Sequence, residues 1–387
     1  MSDVGAISPT HDARPVGQAR LIDTQSFVFW VFVVAVVYSG IHVFSEVTDS
    51  IVVQTLPAVG WSALVLWSIY AAAFLAIVYR HQLFVRRSPW VTVGALAWGG
   101  TVAYWFAVKA NAAVGDLFKL WFSSDFNERW GTSLAAATNE ETLKALGVIV
   151  IVLLPLTRVR STLDGWFYGM MVGLGFQVVE DYVYTVNNTS SLAEVSSFFL
   201  QRGLLAGLWA HAVYTGIVGA GIGYLVTRND RPLTRRIVIA VGLFALAWTF
   251  HFAWDLPVLN ELFGSGFGGF IGIILLKGVP ALVTLLLVVR WGRQHERKVW
   301  TAFVEASIDR TLLSEQEAAD LLSRKARRAA RKASAQAGGH RAKRLRKRLQ
   351  LTQLRYVQAV QEEGAASADA AAFADLISRI RQDPAYS

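Results

Sequence analysis

Ionisable side chains interrupt five of the long apolar segments of this chain. They are Glu140, Glu141, Lys144, Glu180, Asp181, His211, His251, Asp255 and Lys277. A charged group inside a hydrocarbon-spanning segment is costly, so each of these residues is a candidate functional residue. Glu140 and Lys144 share one helix face because they are four residues apart, and the same spacing places His251 and Asp255 together.

The residue types favour hydrolytic chemistry. Two adjacent carboxylates in a low dielectric cannot both ionise cheaply, so Glu140 and Glu141 suit a general base that activates water, with Lys144 stabilising the ionised partner. His211 and His251 could stabilise an oxyanion, or could join Glu180 in the His, His, Glu set of a catalytic zinc site. Both roles stay open, as does a buried ion-pair network that only holds helices together.

The predicted depths of these groups in the bilayer agree. At 1.5 Å per residue, Glu140, Glu180 and His251 lie roughly 12, 9 and 10 Å from the outer ends of their helices, and His211 roughly 20 Å. All are therefore expected near the midplane or in the outer half, although successive helices run in opposite directions. A single site at one level is the expectation.

The helices that position these groups are predicted to be membrane spans. The chain has 387 residues, is 54% hydrophobic and only 17% charged, and its apolar residues form long blocks. A span needs about 20 such residues. Spans are predicted near 26–45, 57–79, 89–112, 132–156, 163–186, 198–227, 236–258 and 267–289. The fold class is therefore an all-α bundle of about eight transmembrane helices. The absence of cysteine excludes disulfides and thiolate chemistry.

Basic residues of the loops predict the orientation. The loop arginines after the second, fourth, sixth and eighth spans fall on one side, together with Arg14 and Arg20 before the first. Acidic residues dominate the other side, where Lys119 and Arg129 are the exceptions. Because Lys and Arg favour cytoplasmic loops, both termini are predicted to be cytoplasmic in a multi-pass protein of the cell membrane.

Three regions are expected along the chain. Residues 1–25 form a polar cytoplasmic N-terminus, 26–289 the transmembrane bundle with a catalytic core at about 130–260, and 290–387 a basic helical tail. The tail holds 20 of the 37 basic residues and 11 of the 28 acidic ones, so it carries the whole formal charge of +9. Contact with anionic lipid is expected there, and nucleic acid is not, because aromatic residues are not interleaved with the basic ones.

Small residues and caps predict further local features. Gly165, Gly169 and Gly173 recur in steps of four on the fifth span, and the sixth span is also rich in glycine, so these two helices should approach closely at the centre. In the tail, Ser314 and Glu317 form a capping-box signature, and Gly338 with Gly339 separates two basic runs.

Four patterns on successive spans together resemble the PrsW family of intramembrane proteases, relatives of the CAAX-prenyl endopeptidases and bacteriocin-processing membrane proteases. The first is EExxK at Glu140, Glu141 and Lys144, and the second is FxxxE at Phe176–Glu180. A single His follows at His211, and HxxxD ends the series at His251–Asp255. The resemblance covers about residues 130–260.

The resemblance implies cleavage of membrane-anchored protein substrates within or next to the bilayer. Carried over by position, Glu140, Glu141, Lys144 and Asp255 are expected to be catalytic, and Glu180, His211 and His251 to bind a metal, for which zinc is the candidate, or to stabilise an oxyanion. Asp255 stands where related families often have Asn, and it would be a poor oxyanion donor when ionised. Metal-dependent and glutamate-type mechanisms therefore both stay open.

Two other functions use the same residues. A proton- or ion-coupled transporter could use the carboxylates and histidines as a relay, although no inverted repeat with matching broken helices is visible in the sequence. A catalytically inactive scaffold that recruits partners through its tail is the third hypothesis.

Overall fold

Eight long helices form the main body of the protein in a computed structural model, which describes residues 24–49, 57–80, 84, 89–154, 159–261 and 266–384. They are α1 Phe27–Asp49, α2 Pro57–Arg80, α3 Pro89–Trp121, α4 Thr132–Leu153, α5 Thr162–Asn188, α6 Leu192–Thr227, α7 Leu233–Asp255 and α8 Gly268–Ser307. No strand occurs among these described residues, so the predicted all-α helical bundle is confirmed.

Six of the eight helices are long and apolar enough to cross a membrane, namely all except α4 and α5. Those two carry the EExxK and FxxxE patterns, and their polar residues lower the mean hydropathy. They are instead the buried helices of the bundle: every residue of α5 from Thr162 to Gln177 is buried. By contrast, Ala247 and His251 are the buried residues of α7, so α7 presents one narrow face to the interior.

The contact between α5 and α6 depends on glycine. A Cβ on Gly165 would collide with the carbonyl oxygen of Gly219, and one on Gly169 would collide with that of Thr215. A Cβ on Gly173 would meet the carbonyl of His211 in the same way. Backbones can approach this closely only at residues without a side chain, so the predicted central packing of these two helices is confirmed.

Several of the long helices contain a wider π-helical segment. These segments are Trp98–Ala103 in α3, Phe199–Ala206 in α6 and Ile274–Gly278 in α8. Segments of this kind disturb the regular hydrogen-bond ladder and often occur at functional sites. In α6 the disturbance is largest, since a 3₁₀ turn at Gly207–Trp209 and a non-helical Ala210 follow before a regular helix begins at His211.

Residues 308–384 form a separate compact unit of helices α9 Glu315–Leu321, α10 Arg324–Glu363 and α11 Ala368–Gln382. The predicted capping box of Ser314 and Glu317 starts α9. Gly338 and Gly339, which separate the two basic runs, also interrupt α10, since both leave helical geometry and Gly339 has a φ of +70°.

This unit has its own apolar core, which the prediction of a solvated basic tail did not include. Leu313, Leu321, Leu349 and Ile377 are fully buried in it. Its boundary also differs from the predicted one at 289, because α8 continues as a single helix to Ser307. Arg14, Arg20, Arg86, Arg87 and Arg158, which support the predicted orientation, lie outside the described residues.

Candidate active site

The candidate residues of α4, α5, α6 and α7 meet inside the bundle. His251 of α7 is buried, and three carboxylates surround its ring. Its Nδ1 lies 2.9 Å from Glu141 Oε1, and its Nε2 lies 3.1 Å from Asp255 Oδ2 and 3.6 Å from Glu140 Oε2. The two predicted helix-face partners, His251 and Asp255, are thus in contact.

His211 occupies the first position of the regular part of α6 and faces the same point. Its Nε2 lies 2.8 Å from Glu180 Oε2. Its Nδ1 lies 3.0 Å from Lys144 Nζ and 3.8 Å from Glu140 Oε2. The two imidazole rings are 5.0 Å apart between centroids and nearly perpendicular, so both histidines border one small volume.

Lys144 neutralises part of the acidic charge behind the histidines. Its Nζ is 2.7 Å from Glu141 Oε1 and 3.6 Å from Glu140 Oε2, and it lies 4.3 Å from the centre of the Phe176 ring. Lys144 and Glu141 are both completely buried. A buried charge pair is tolerated only with such close compensation, so these two residues form a compensated pair next to the histidines.

Glu140, His211 and His251 could hold a metal ion. One donor atom from each lies within 4.8 Å of the other two. The distances of 3.6 and 3.8 Å from Glu140 Oε2 to the two imidazoles are close to the roughly 3.3 Å edge of a tetrahedral zinc site with 2.0–2.1 Å bonds. Glu140 Oε2 is also buried and has no hydrogen-bond partner among the described residues. The donor chemistry and the carboxylate oxygen that accepts no hydrogen bond from the described residues both fit a bound cation, which would share that oxygen with the Lys144 ammonium group 3.6 Å away.

A cavity of about 880 Å³ leads to this point. Six of the candidate residues line it, namely Glu140, Glu180, Asp181, His211, His251 and Asp255. Glu141 and Lys144 do not line it. The cavity wall continues to Asp116 and Lys119 near the end of α3. Water and a substrate segment therefore have space to reach the histidines, whereas Glu141 and Lys144 contact them from outside the cavity wall.

Two candidate residues lie apart from this centre. Lys277 of α8 donates hydrogen bonds from Nζ to the carbonyl oxygens of Trp254, at 2.9 Å, and Leu256, at 3.4 Å. It thereby caps the end of α7, where Asp255 lies. Asp181 of α5 lines the cavity but pairs with Arg202, whose Nε is 2.6 Å from Asp181 Oδ1.

The break in α6 is held by polar residues that the sequence prediction missed. The carbonyl oxygen of Gly207 accepts hydrogen bonds from Tyr70 Oη at 3.0 Å and Gln177 Nε2 at 3.1 Å. Gln177 Oε1 also accepts from the backbone N–H of Ala212 at 3.4 Å. These bonds replace the lost backbone ladder, so Gln177 fixes the chain directly before and after His211.

Arg202 is a further residue that the sequence prediction missed. It lies in the π-helical part of α6 and lines the cavity beside Glu180. A sequence signal was present, since a single arginine interrupts the apolar run that begins at residue 198.

Comparison with known proteins identifies the family. Residues 87–289, which include α3 to α7 and much of α8, match the PrsW family of intramembrane metalloproteases. No curated protein and no solved structure matches the chain. The match covers more than half of the chain and contains every residue of the metal-competent group. The chain therefore belongs to the PrsW family of intramembrane metalloproteases, and it is an intramembrane endopeptidase.

Proposed function

We propose that this protein cuts membrane-anchored protein substrates within or next to the bilayer, at a zinc ion held by Glu140, His211 and His251. The observation that carries the proposal is the meeting of these three donors at the end of the cavity, where Glu140 Oε2 has no described hydrogen-bond partner. Zinc is the metal that a His, His, Glu set with an open position favours.

This ligand set differs in one residue from the set predicted from the sequence, which was Glu180, His211 and His251. Glu140 replaces Glu180 because Glu140 Oε2 faces both imidazoles. Of the two histidines, Glu180 Oε2 contacts only His211. Lys144 Nζ lies beside the same point, so its ammonium group must move aside when a cation binds to His211 Nδ1. When bound, a zinc ion supplies Lewis-acid activation of a peptide carbonyl and of water.

Glu141 and Glu180 orient the two histidines in this proposal. Glu141 accepts a hydrogen bond from His251 Nδ1, which leaves Nε2 facing Glu140. Glu180 accepts one from His211 Nε2, which leaves Nδ1 facing the same carboxylate. A carboxylate on the second nitrogen fixes the tautomer and the ring orientation of a metal-binding histidine.

Asp255 is the proposed proton acceptor. It lines the cavity, its side chain is 34% exposed, and its Oδ2 lies 3.1 Å from His251 Nε2. A carboxylate in that position can take a proton from a water molecule and return it to the amine that leaves when the peptide bond breaks. Glu141 cannot act this way directly, because it is completely buried and does not line the cavity.

The cavity and the loop charges together support cleavage near the outer leaflet. Asp116 and Lys119 line the far part of the cavity near the end of α3. The excess of basic residues on the opposite loops supports an orientation in which that end of α3 lies outside the cell. Both termini are then cytoplasmic, in a multi-pass protein of the cell membrane.

The tail unit is proposed to rest on anionic lipid. One face of α10 carries exposed basic residues opposite the buried core positions, namely Arg341, Lys343, Arg344, Lys347, Arg348 and Arg355. Each basic residue near an anionic surface contributes about 1 kcal/mol. Flotation with vesicles that contain phosphatidylserine should recover the wild type, and a variant with these six residues replaced by Gln should float less.

Cleavage of a single-span substrate by the purified protein in detergent tests the proposed function. Wild-type protein should cut the substrate, and Asp255→Asn and Glu140→Gln should each abolish most of the cutting. Glu128→Gln is the matched control, since Glu128 is exposed and does not line the cavity. Full activity of Glu140→Gln would remove Glu140 from the ligand set.

A further inference from the structure

Arg202 is held rigidly in the wall of the cavity. Its Nε donates to Asp181 Oδ1 at 2.6 Å, and its Nη2 lies 3.5 Å from Glu180 Oε2. The guanidinium lies 4.3 Å from the centre of the Tyr184 ring, against which it stacks. A planar group with an ion pair on one edge and an aromatic ring on its face has little freedom to rotate.

Within the described part of the chain, some N–H groups of Arg202 are left without an acceptor by this arrangement, on the side away from Asp181. A guanidinium carries five N–H donors, and the described contacts of Arg202 use Nε and place Nη2 near Glu180. The Nη1 atom has no hydrogen-bond partner among the described residues, and the side chain is 36% exposed while it lines the cavity. An arginine that serves only as an interhelical ion pair has no need of such exposure.

The charge around Arg202 indicates which ligand it suits. Asp181 and Glu180 already offset the guanidinium charge, so a permanently charged carboxylate from a substrate would gain little there. A neutral carbonyl needs only an N–H donor when it binds, and that hydrogen bond strengthens when water adds to the carbon and negative charge develops on the oxygen. The other cavity-lining residue with a permanent positive charge is Lys119, which pairs with Asp116 at 3.0 Å. Asp255, across the site, carries no donor when ionised.

We propose that Arg202 donates a hydrogen bond to the oxygen of the scissile carbonyl as that oxygen becomes an oxyanion. This inference rests on the proposed proteolytic function. Water adds to the carbonyl carbon, the π electron pair moves onto the oxygen, and an N–H of Arg202 donates to it without transferring its proton. When the C–N bond breaks, the pair returns to the carbonyl and the amine leaves with the proton that Asp255 accepted from water.

Steady-state kinetics of Arg202→Gln on a single-span substrate in detergent test this role. Loss of one oxyanion donor lowers kcat by about 10²–10³-fold, and KM should change little because the ground-state carbonyl is bound weakly. Arg202→Lys, which retains the charge near Asp181, should show an intermediate loss of kcat. Asp181→Asn breaks the same ion pair but keeps the guanidinium, so its loss should be the smallest of the three.

Arg228→Gln is the matched control. Arg228 is also ion-paired, to Asp230 at 2.7 Å, and stacks on Tyr224 at 5.3 Å, but it does not line the cavity. Its kcat should equal that of the wild type. Equal losses in Arg202→Gln and Asp181→Asn, accompanied by equal decreases in thermal stability, would show that the pair only holds α5 and α6 together and would overturn the proposal.

Binding of a transition-state analogue supplies a second measurement. Once mass spectrometry has located the cut in the single-span substrate, a peptide with a phosphinate at that bond can be titrated against each variant. Arg202→Gln should bind the phosphinate weaker by the same factor as its loss in kcat, and should bind the parent peptide normally. Equal phosphinate affinity in wild type and Arg202→Gln would overturn the inference, whereas a wild type that cuts no substrate would instead overturn the proposed function.

Discussion

The interior of the bundle and the tail unit both bury charged residues, but they satisfy them differently. In the tail, Glu317 accepts from Arg381 at 2.6 Å and from Arg346 at 3.4 Å, and Asp320 accepts from Arg346 at 2.7 Å. No buried side-chain polar atom of the described residues 308–384 lacks a hydrogen-bond partner. In the bundle, Glu140 Oε2 and Glu141 Oε2 both do.

The acidic charges of the tail are hydrogen-bonded within the chain, whereas part of the acidic charge of the bundle is not, among the residues described. An unsatisfied buried acceptor costs about 1–3 kcal/mol, and of the two glutamate oxygens the one of Glu140 belongs to a residue that lines the cavity, where a ligand could satisfy it. The tail charges join helices and are complete within the chain. The Glu140 oxygen that accepts no hydrogen bond from the described residues faces two imidazoles at the end of a cavity, and a cation there would bind it directly.

His251→Ala should produce the largest effect of any substitution outside the tail. It removes a proposed metal ligand and leaves Glu141 and Asp255 without their partner, so kcat/KM should fall by at least about 10³-fold, because a catalytic metal supplies several kcal/mol. Cleavage assays measure this. His42→Ala is the control, since His42 stacks on Trp105 and does not line the cavity. Similar losses of kcat/KM in His251→Ala and His42→Ala would contradict a catalytic role of His251.

Glu141→Gln should have a smaller effect through His251. Replacement of a carboxylate behind a metal-binding histidine typically costs about 10–100-fold in activity or metal affinity. KM should not change, because Glu141 does not line the cavity. Kinetics at saturating zinc distinguish the two parameters. A change confined to KM would place Glu141 in contact with substrate, against the structure.

Gln177→Leu should test whether the break in α6 positions His211. Leucine is similar in size but leaves the carbonyl of Gly207 and the N–H of Ala212 without the amide, at a cost of about 1–3 kcal/mol. We expect kcat to decrease while the helical content by circular dichroism stays the same. Gln201→Leu, at an exposed position of α6, should leave kcat unchanged. Equal activity of both variants would show that the break is held by other contacts.

Glu317→Gln should affect the tail alone. It weakens the hydrogen bonds from Arg346 and Arg381, and bonds to charged groups are worth about 1.5–3 kcal/mol. Hydrogen exchange of the full-length protein should show faster exchange in 308–384. The rate of substrate cleavage in detergent should equal that of the wild type. Unchanged exchange in the tail would show that its charges are not needed for its stability.

Much of the site could be predicted because its residues are conspicuous in apolar segments. Glu140, His211 and His251 are each costly in lipid, and their order along the chain reproduces the family pattern. The glycine steps on α5 also predicted its close packing, because only glycine permits such an approach.

The remaining features depend on backbone geometry that local sequence does not encode. Gln177 of α5 is hydrogen-bonded to the broken part of α6, so its role was not predictable from its own position. Arg202 lines the cavity from the π-helical segment that precedes the break. The choice between Glu140 and Glu180 as ligand depends on rotations of side chains that helix spacing leaves open. The tail core was missed because its few apolar residues are dispersed among many basic ones.

Elemental analysis of the purified protein, paired with cleavage assays before and after chelation, tests the central claim most directly. One zinc ion per chain is expected in the wild type and none in His211→Ala. Chelation should abolish cleavage of a single-span substrate, and added zinc should restore it. A wild-type protein that cuts its substrate at full rate without any bound metal would contradict the metal centre of Glu140, His211 and His251.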